Sequence, residues 1–306
     1  MLRYYFKTSD DICFVSLNEP QEGCWIHIDE ASGEDLPPLA QLLNLEPIEL
    51  NDCLDKFELP RVERTHNTVL IYTRYPKEAE IGLYTATLTI LLNPNYTVTI
   101  TPHKSDLMYQ FFSQTSKLSS LQQTESLIAL LFKITQEFTA HIRRVRNNVL
   151  HQEKEMISVD SEDITALTKN EEILNQYMSG LAPLRTVLDD VTSGRYATLY
   201  EKDQEMIKDL LNAVRQSEDV CGVNLKSIRS LRDSYQIIFT NNLHKTIKLL
   251  TALTILFNIP TIIASLYGMN IELPFAQRPL AFLYIIGATS ITILAAVLYF
   301  QRKHWL

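Results

Sequence analysis

Five polar side chains inside an otherwise apolar stretch carry the most informative chemistry in the sequence. They are Thr251, Thr254, Asn258, Thr261 and Ser265, spaced by three, four, three and four residues. On an α-helix this spacing places them on one face. Polar groups at membrane depth are tolerated where they meet a partner helix or a water-filled cavity. The pattern predicts either close helix packing or a pore lining, and Asn258, too large for close packing, favours the pore.

Three residues just before this polar face lie on or near it. Ile247 and Leu250 are about one turn apart, so rings of them in an oligomer would form an apolar constriction that gates by dewetting. The alternative is ordinary core between helices. His244 would form a pH-sensitive ring, or it is a surface residue at the membrane interface.

Two uncharged stretches must position these side chains. Leu249 to Tyr267 is 19 residues without a charge, and Pro279 to Phe300 is 22. Both match the roughly 20 residues that a helix needs to cross a bilayer. We therefore predict two transmembrane spans rather than two buried helices. The second span lacks a polar stripe and is expected to face lipid.

The charges around the spans predict their orientation. Lys245 and Lys248 precede the first span, and Arg302, Lys303 and His304 follow the second. The connecting loop holds a single base. By the positive-inside rule both termini are cytoplasmic, in the cell membrane, and the loop is external.

Composition excludes several classes of protein. The chain has 306 residues and a formal net charge of −8, and no stretch gathers the lysines and arginines that a nucleic-acid binder needs. Its 4 cysteines are too few and too scattered for a disulfide framework. Nucleotide-binding glycine loops, the HExxH motif and a secretory signal peptide are not found. No catalytic constellation can be assembled, so we do not expect an enzyme.

The chain before the membrane reads as an α+β domain followed by a long helical stalk. Four short stretches have strand length and β-branched content: 24–28, 68–72, 86–92 and 96–100. From Ser119 onward the apolar residues recur at helical spacing, and from about Ala197 to Ile259 no proline interrupts them. A helix of about 70 residues needs copies of itself to bury it, which predicts a homo-oligomer.

These observations divide the chain into six segments. They are a cytoplasmic α/β domain (1–118), a cytoplasmic helical hairpin (119–196), a stalk helix that continues into the first span (197–267), an external loop (268–278), the second span (279–300) and a basic tail (301–306).

The start of the loop carries a family resemblance. Gly268-Met269-Asn270 directly follows the first of two terminal spans, and a basic tail follows the second. This resembles the CorA family of divalent-cation channels, whose mark is Gly-Met-Asn at this place. Upstream, Trp25-Ile26, Leu45-Glu46-Pro47, Asn51-Asp52, 59–63 and 241–251 also resemble that family, so the likeness covers most of the chain.

The resemblance implies an architecture and a set of functional residues. The family forms a homopentameric funnel whose first span lines the pore, with Gly268, Met269 and Asn270 as the selectivity filter. It places regulatory divalent ions between subunits, which by local pattern would be held by Asp52 and Asp209. Two departures weaken that transfer, because Asn51 stands where an acid is common and Asn212 lies one turn from Asp209. Glu272 at the external mouth either concentrates cations or is a solvated loop acid.

Import of hydrated Mg²⁺ down the membrane potential, with Mg²⁺ also as the regulatory ion, is the function that this resemblance implies. Co²⁺ and Ni²⁺ remain possible cargoes, and Zn²⁺ is the alternative within the same superfamily. Few histidines and no cysteine near the pore favour Mg²⁺, because softer ligands suit zinc. A receptor or scaffold tethered to the bilayer by two spans is the second alternative.

Overall fold

The computed structural model describes residues 2–8, 11, 13–80, 83–113, 118–155, 159–193, 201–269 and 280–306. The chain divides into two compact units. One comprises Met1–Ile157 and Thr165–Leu231, and the other comprises Ser158–Ile164 and Arg232–Leu306.

A mixed seven-stranded sheet forms the centre of the first unit. Its strands are β1 (Leu2–Phe6), β2 (Val15–Leu17), β3 (Trp25–Ile28), β4 (Arg61–Thr65), β5 (Thr68–Glu80), β6 (Leu83–Leu92) and β7 (Thr97–Ile100). They lie in the order β2-β1-β3-β7-β6-β5-β4. Strands β3 and β7 pair in parallel, and the other neighbours are antiparallel. The parallel pair joins the N-terminal hairpin to the β4–β7 meander in one continuous sheet.

Helices cover the first face of this sheet. The helix α1 (Leu36–Leu43) and a 3₁₀ helix (Pro47–Leu54) bury apolar side chains against β3, β5, β6 and β7. Glu46 and Glu49 close a capping box at the start of the 3₁₀ helix, which satisfies backbone donors at its first turn. Asp52 belongs to this short helix, so the packing of α1 and the 3₁₀ helix determines where its carboxylate lies.

The opposite face holds an aromatic cluster around Trp25. Because successive strand residues point to opposite faces, Trp25 and His27 lie across the sheet from Ile26 and Ile28. Phe111, on helix α2 (Asp106–Ser113), packs with its ring centroid 5.4 Å from that of Trp25. The sheet is therefore covered on both faces, and every residue of its central strands β3 and β7 is buried.

A buried polar network ties β3 to β7 within that cluster. His27 and Thr99 are direct neighbours across the parallel pair, and His27 Nδ1 lies 3.0 Å from the Thr99 hydroxyl. The Trp25 indole N–H donates to the same hydroxyl over 3.0 Å. Burial lowers the pKa of His27 to about 4, outweighing the opposite effect of Asp29. His27 is therefore neutral in the folded protein at neutral pH.

Long helices complete the chain. They are α3 (Gln123–Glu155), α4 (Ser161–Thr192), α5 (Glu201–Tyr267) and α6 (Ala281–Arg302). A Cβ built on Gly180 of α4 would lie 3.0 Å from the Phe138 ring of α3 and 3.5 Å from Arg74 Cβ of β5. Helix α4 thus approaches α3 closely at Gly180, where an added Cβ would require the Phe138 ring to shift by a few tenths of an ångström.

The predicted fold class is confirmed. The structure has an α+β N-terminal part, a long helix and a C-terminal apolar helix. Helix α5 is about 100 Å long at 1.5 Å per residue and continues through Pro260. Within the described residues, two helices are long and apolar enough to cross a membrane, Lys202–Tyr267 and Phe282–Arg302.

Candidate functional site: the polar face of α5 and the acidic surface around Asp52

Helix α5 presents its polar residues as one continuous exposed face. On an ideal helix, at 100° per residue, Thr251, Thr254, Asn258, Thr261 and Ser265 fall within an arc of about 80°. All five side chains are exposed in the single chain. A helix cannot hold such a face against hydrocarbon without a partner or water, so another surface must cover it.

Two of the three threonine hydroxyls on this face, those of Thr254 and Thr261, have backbone partners. Thr254 donates to the Leu250 carbonyl over 2.8 Å, and Thr261 donates to the Phe257 carbonyl over 3.0 Å. This bond satisfies the hydroxyl proton and leaves the oxygen lone pairs directed away from the helix as acceptors. Within the part of the chain that the structure describes, the Asn258 amide has no hydrogen-bond partner. The face therefore offers mainly acceptor oxygens, which suit the water shell of a cation.

The part of this helix surface that precedes Thr251 carries two large aliphatic side chains. Ile247 is 58% exposed and Leu250 is 60% exposed, which are high fractions for large aliphatic side chains. His244 is also exposed. When these three residues are added to the five of the polar face, the eight side chains span an arc of about 120° on an ideal helix. The structure thus places all eight predicted pore residues on one side of α5.

Helix α5 ends at the predicted filter. The Gly268 N–H donates to the carbonyls of Ala264 (3.0 Å) and Ser265 (3.2 Å), and the Met269 N–H donates to Leu266 (3.3 Å). These bonds satisfy carbonyls of the last turn, so the backbone turns away at Gly268. Asn270 and Glu272 lie outside the described residues, and their predicted roles remain predictions.

Helix α6 has a different surface. Its largest side chains are exposed, including Phe282 (74%) and Ile291 (70%). The hydroxyls of Thr289 and Thr292 donate to the carbonyls four residues earlier, over 2.8 and 2.9 Å. Residues 281–300 carry no amide side chain comparable to Asn258, and these threonine hydroxyls bond the backbone, so α6 is suited to contact with lipid.

The predicted regulatory carboxylate of Asp52 has a partner that sequence reasoning missed. Asp52 Oδ2 accepts a hydrogen bond from Arg61 Nη2 over 2.7 Å. Arg61 also pairs with Glu58 and, over 2.8 Å, with Glu63. Although burial opposes it, these hydrogen bonds and charges raise the pKa of Arg61 above its ordinary value. The carboxylate of Asp52 is suited to binding a divalent cation. Its Oδ2 atom, however, already accepts a hydrogen bond from the Arg61 guanidinium.

Asp209 lies on α5 with its side chain exposed. Among the described residues, no cluster of three or more His, Cys, Asp or Glu side chains could hold a metal ion. A site that used Asp52 and Asp209 would therefore need the carboxylate from a second subunit, as the resemblance implies. Nothing within the single chain tests that pairing.

Comparison with known proteins decides the family. The family described as CorA-like Mg²⁺ transporter protein matches residues 20–302, which include strands β3–β7 of the sheet, α5 and α6. The chain belongs to the CorA family. This confirms the resemblance that the loop motif and the two spans predicted.

Individual CorA relatives agree over almost the whole length. The cobalt/magnesium transport protein CorA of Methanocaldococcus jannaschii is 24% identical over 289 residues, which cover 92% of this chain and 91% of the relative. The corresponding protein of Thermotoga maritima is 20% identical, covering 98% of this chain and 88% of the relative. The solved structure of the complete M. jannaschii magnesium transporter aligns with a TM-score of 0.79 at 22% identity, covering 100% of this chain and 99% of that one. At that identity the alignment establishes the CorA fold.

Proposed function

We propose that this CorA protein forms a homopentameric membrane channel that imports Mg²⁺ as a hydrated ion. The observation that carries the proposal is the polar face of α5, a run of exposed acceptor oxygens along a helix able to cross a membrane. One such helix cannot enclose water, whereas a symmetric ring of helices can. The names of the relatives, cobalt/magnesium transport proteins, support the same class of cargo.

Hydration chemistry explains why amides and hydroxyls would line this pore. Mg²⁺ gives up water reluctantly and prefers octahedral oxygen coordination. The amides of Asn258 and Asn270 can accept hydrogen bonds from an intact water shell, and Gly268 lets the backbone approach the axis. Neither span contains a carboxylate that would capture the ion directly. Glu272 at the external mouth would raise the local concentration of cations.

The membrane potential would drive the ion inward. Moving a divalent cation through 100 mV releases about 4.6 kcal/mol. With both termini in the cytoplasm, Ile247 and Leu250 would lie at the cytoplasmic end of the pore. Rings of these exposed aliphatic side chains would close it by dewetting. A ring of His244 beside them would make closure sensitive to pH.

Cytosolic Mg²⁺ would regulate the channel between subunits. In this proposal an ion bridges Asp52 of one subunit and Asp209 of its neighbour, and so favours the closed assembly. Both carboxylates lie in exposed segments of the first unit, which supports their access to a neighbouring chain. Loss of the ion would leave two like charges facing each other and loosen the contact.

Mg²⁺ ranks ahead of the other ions in this proposal. Hydroxyl and amide oxygens line the polar face of α5, which contains no histidine or cysteine, and His244 is the nearest histidine to it in the sequence. Soft nitrogen and sulfur ligands are what zinc prefers, whereas amide and hydroxyl oxygens suit Mg²⁺. Co²⁺ and Ni²⁺ remain secondary cargoes because they also enter as hydrated divalent ions. A tethered receptor has no use for the polar face.

Ion flux into liposomes tests the proposal. The purified full-length protein is reconstituted with an internal fluorescent reporter for Mg²⁺ or Zn²⁺, and the parent is compared with Asn270→Ala. The matched control is Asn147→Ala, an exposed asparagine on α3 outside both spans. Mg²⁺ influx in the parent and the control, lost in Asn270→Ala, is the expected result. Influx of Zn²⁺ alone would replace the ion, and no influx of either would refute the channel.

A further inference from the structure

The acidic surface around Asp52 contains one basic side chain that contacts all of its carboxylates. The Arg61 guanidinium donates to Asp52 over 2.7 Å, to Glu63 over 2.8 Å and to Glu58. One positive charge thus meets three negative ones, and the group retains a net charge of −2. We call these four residues the Arg61 cluster.

The position of Arg61 is held by the sheet. Arg61 and Tyr72 are direct cross-strand neighbours on β4 and β5, and the guanidinium lies over the Tyr72 ring at 4.1 Å from its centroid. Tyr72 is only 1% exposed, so this ring is a fixed platform. A cation over an aromatic face is attracted by the ring quadrupole. The side chain is therefore anchored on one side by an aromatic ring and on the other by carboxylates.

Asp52 is the most exposed carboxylate of the Arg61 cluster. Its side chain is 59% exposed, against 48% for Glu63 and 14% for Glu58. It is consequently the member that a dissolved divalent ion reaches first. An ion that binds Asp52 must either displace the Arg61 N–H from Oδ2 or settle on the other oxygen, close to a fixed positive charge. Both routes cost binding free energy.

We infer that Arg61 is a tethered cation that competes with divalent ions for the carboxylate of Asp52. It lowers the affinity of Asp52 for Mg²⁺ and so raises the cytosolic concentration at which the ion acts. The inference rests on the regulatory use of Asp52 in the proposed function.

Removal of Arg61 therefore strengthens Mg²⁺ binding. The test is protection of the full-length protein, in lipid nanodiscs, against limited proteolysis as Mg²⁺ is titrated. In Arg61→Gln the midpoint of protection is expected to fall about tenfold, because one positive charge at hydrogen-bond distance from the ligand is lost. Adding Asp52→Asn to this variant is expected to return the midpoint to the parent value or above it.

The matched control is Arg64→Gln. Arg64 is an exposed arginine on the same strand, three residues from Arg61 and on the opposite face of β4. It removes the same charge from the chain without touching the Arg61 cluster, so its midpoint is expected to stay at the parent value. An equal fall in Arg64→Gln would reduce the effect to net charge and overturn the inference.

Three further outcomes decide the inference. A midpoint in Arg61→Gln equal to or above the parent overturns it, as does Mg²⁺-independent proteolysis in every variant. If Arg61→Gln does not fold, Arg61→Lys replaces it. Lysine keeps the charge but loses the planar fork that contacts several carboxylates, so its midpoint must fall below the parent value. Because protection reports binding, a protein without ion flux would refute the channel and leave this inference standing.

Discussion

Acidification destabilises the sheet through one buried histidine. His27 is 3% exposed, and its pKa is about 4 in the folded chain against 6.5 for an ordinary histidine. Between these values the unfolded chain binds a proton that the folded chain does not. Burial of neutral His27 therefore has no pH-dependent effect on the free energy of unfolding above pH 6.5. As the pH falls from 6.5 toward 4, protonation of the unfolded chain lowers that free energy progressively. From pH 6.5 to pH 4.5 the loss amounts to about 2 kcal/mol.

Urea unfolding at a series of pH values measures this effect. The chain has 2 tryptophans, so Trp305→Phe leaves Trp25 as the reporter. Trp25 shares the Thr99 hydroxyl with His27 and therefore reports on the same part of the sheet. Between pH 6.5 and 4.5 the free energy of unfolding is expected to fall in the parent, and to fall by about 2 kcal/mol less in His27→Gln.

The comparison depends on the pH dependence rather than on absolute stability. His27→Gln also changes packing, so the two proteins will differ at every pH. The control is His66→Gln, whose side chain is 66% exposed in the parent and which should keep the full loss of stability. Equal losses in His27→Gln and the parent would refute the assignment of a neutral buried histidine.

Two further changes test the polar face and the helix packing. Asn258→Leu should reduce Mg²⁺ flux into liposomes at least about tenfold, because it removes a ring of hydrogen-bond acceptors. The control Ser290→Leu on α6 should leave the flux unchanged. An equal loss of flux in both variants would indicate a folding defect. Gly180→Val should lower the free energy of unfolding by about 1–3 kcal/mol, since its Cβ would lie 3.0 Å from Phe138. Gly33→Ala, with nothing within 4 Å of the added Cβ, should be neutral in the same unfolding measurement.

The predictability of the strands follows from burial. The four predicted stretches correspond to β3, β7 and parts of β5 and β6, where buried β-branched residues dominate. The short strands β1, β2 and β4 lie toward the sheet edges, and their residues are mostly half-buried or exposed. Arg61–Thr65, for example, carries three charged residues in five and has no apolar alternation. Such a segment becomes a strand because its backbone can hydrogen-bond to β5. That pairing cannot be predicted from the residues of the segment itself.

The helices were easier to predict because their periodicity is long. The predicted helix from about residue 197 appears as α5 from Glu201 to Tyr267, and the uninterrupted apolar stretch after 279 appears as α6. Over such lengths the 3.6-residue period and the absence of charge outweigh single exceptions. Pro260 is one of these, since α5 continues through it.

The two candidate sites differ in how much of each can be predicted from the sequence. The polar face of α5 follows from spacing along one helix, so the fold adds only its exposure and the backbone bonds of Thr254 and Thr261. The partner of Asp52 does not follow from spacing. Asp52 lies in a 3₁₀ helix and Arg61 nine residues later at the start of a strand, and no regular period relates them.

Hydropathy and spacing are enough to establish the two candidate spans, the polar face and the family motif at Gly268-Met269-Asn270. These features depend on neighbours along a single helix, whose geometry is the same in every protein. Only the folded chain decided that Arg61 holds the Asp52 carboxylate and that His27 is kept neutral beside Thr99. Those contacts join residues of different secondary-structure elements. The charge of each group depends on the side chains that surround it and on its exposure to water, and both are set by the tertiary structure.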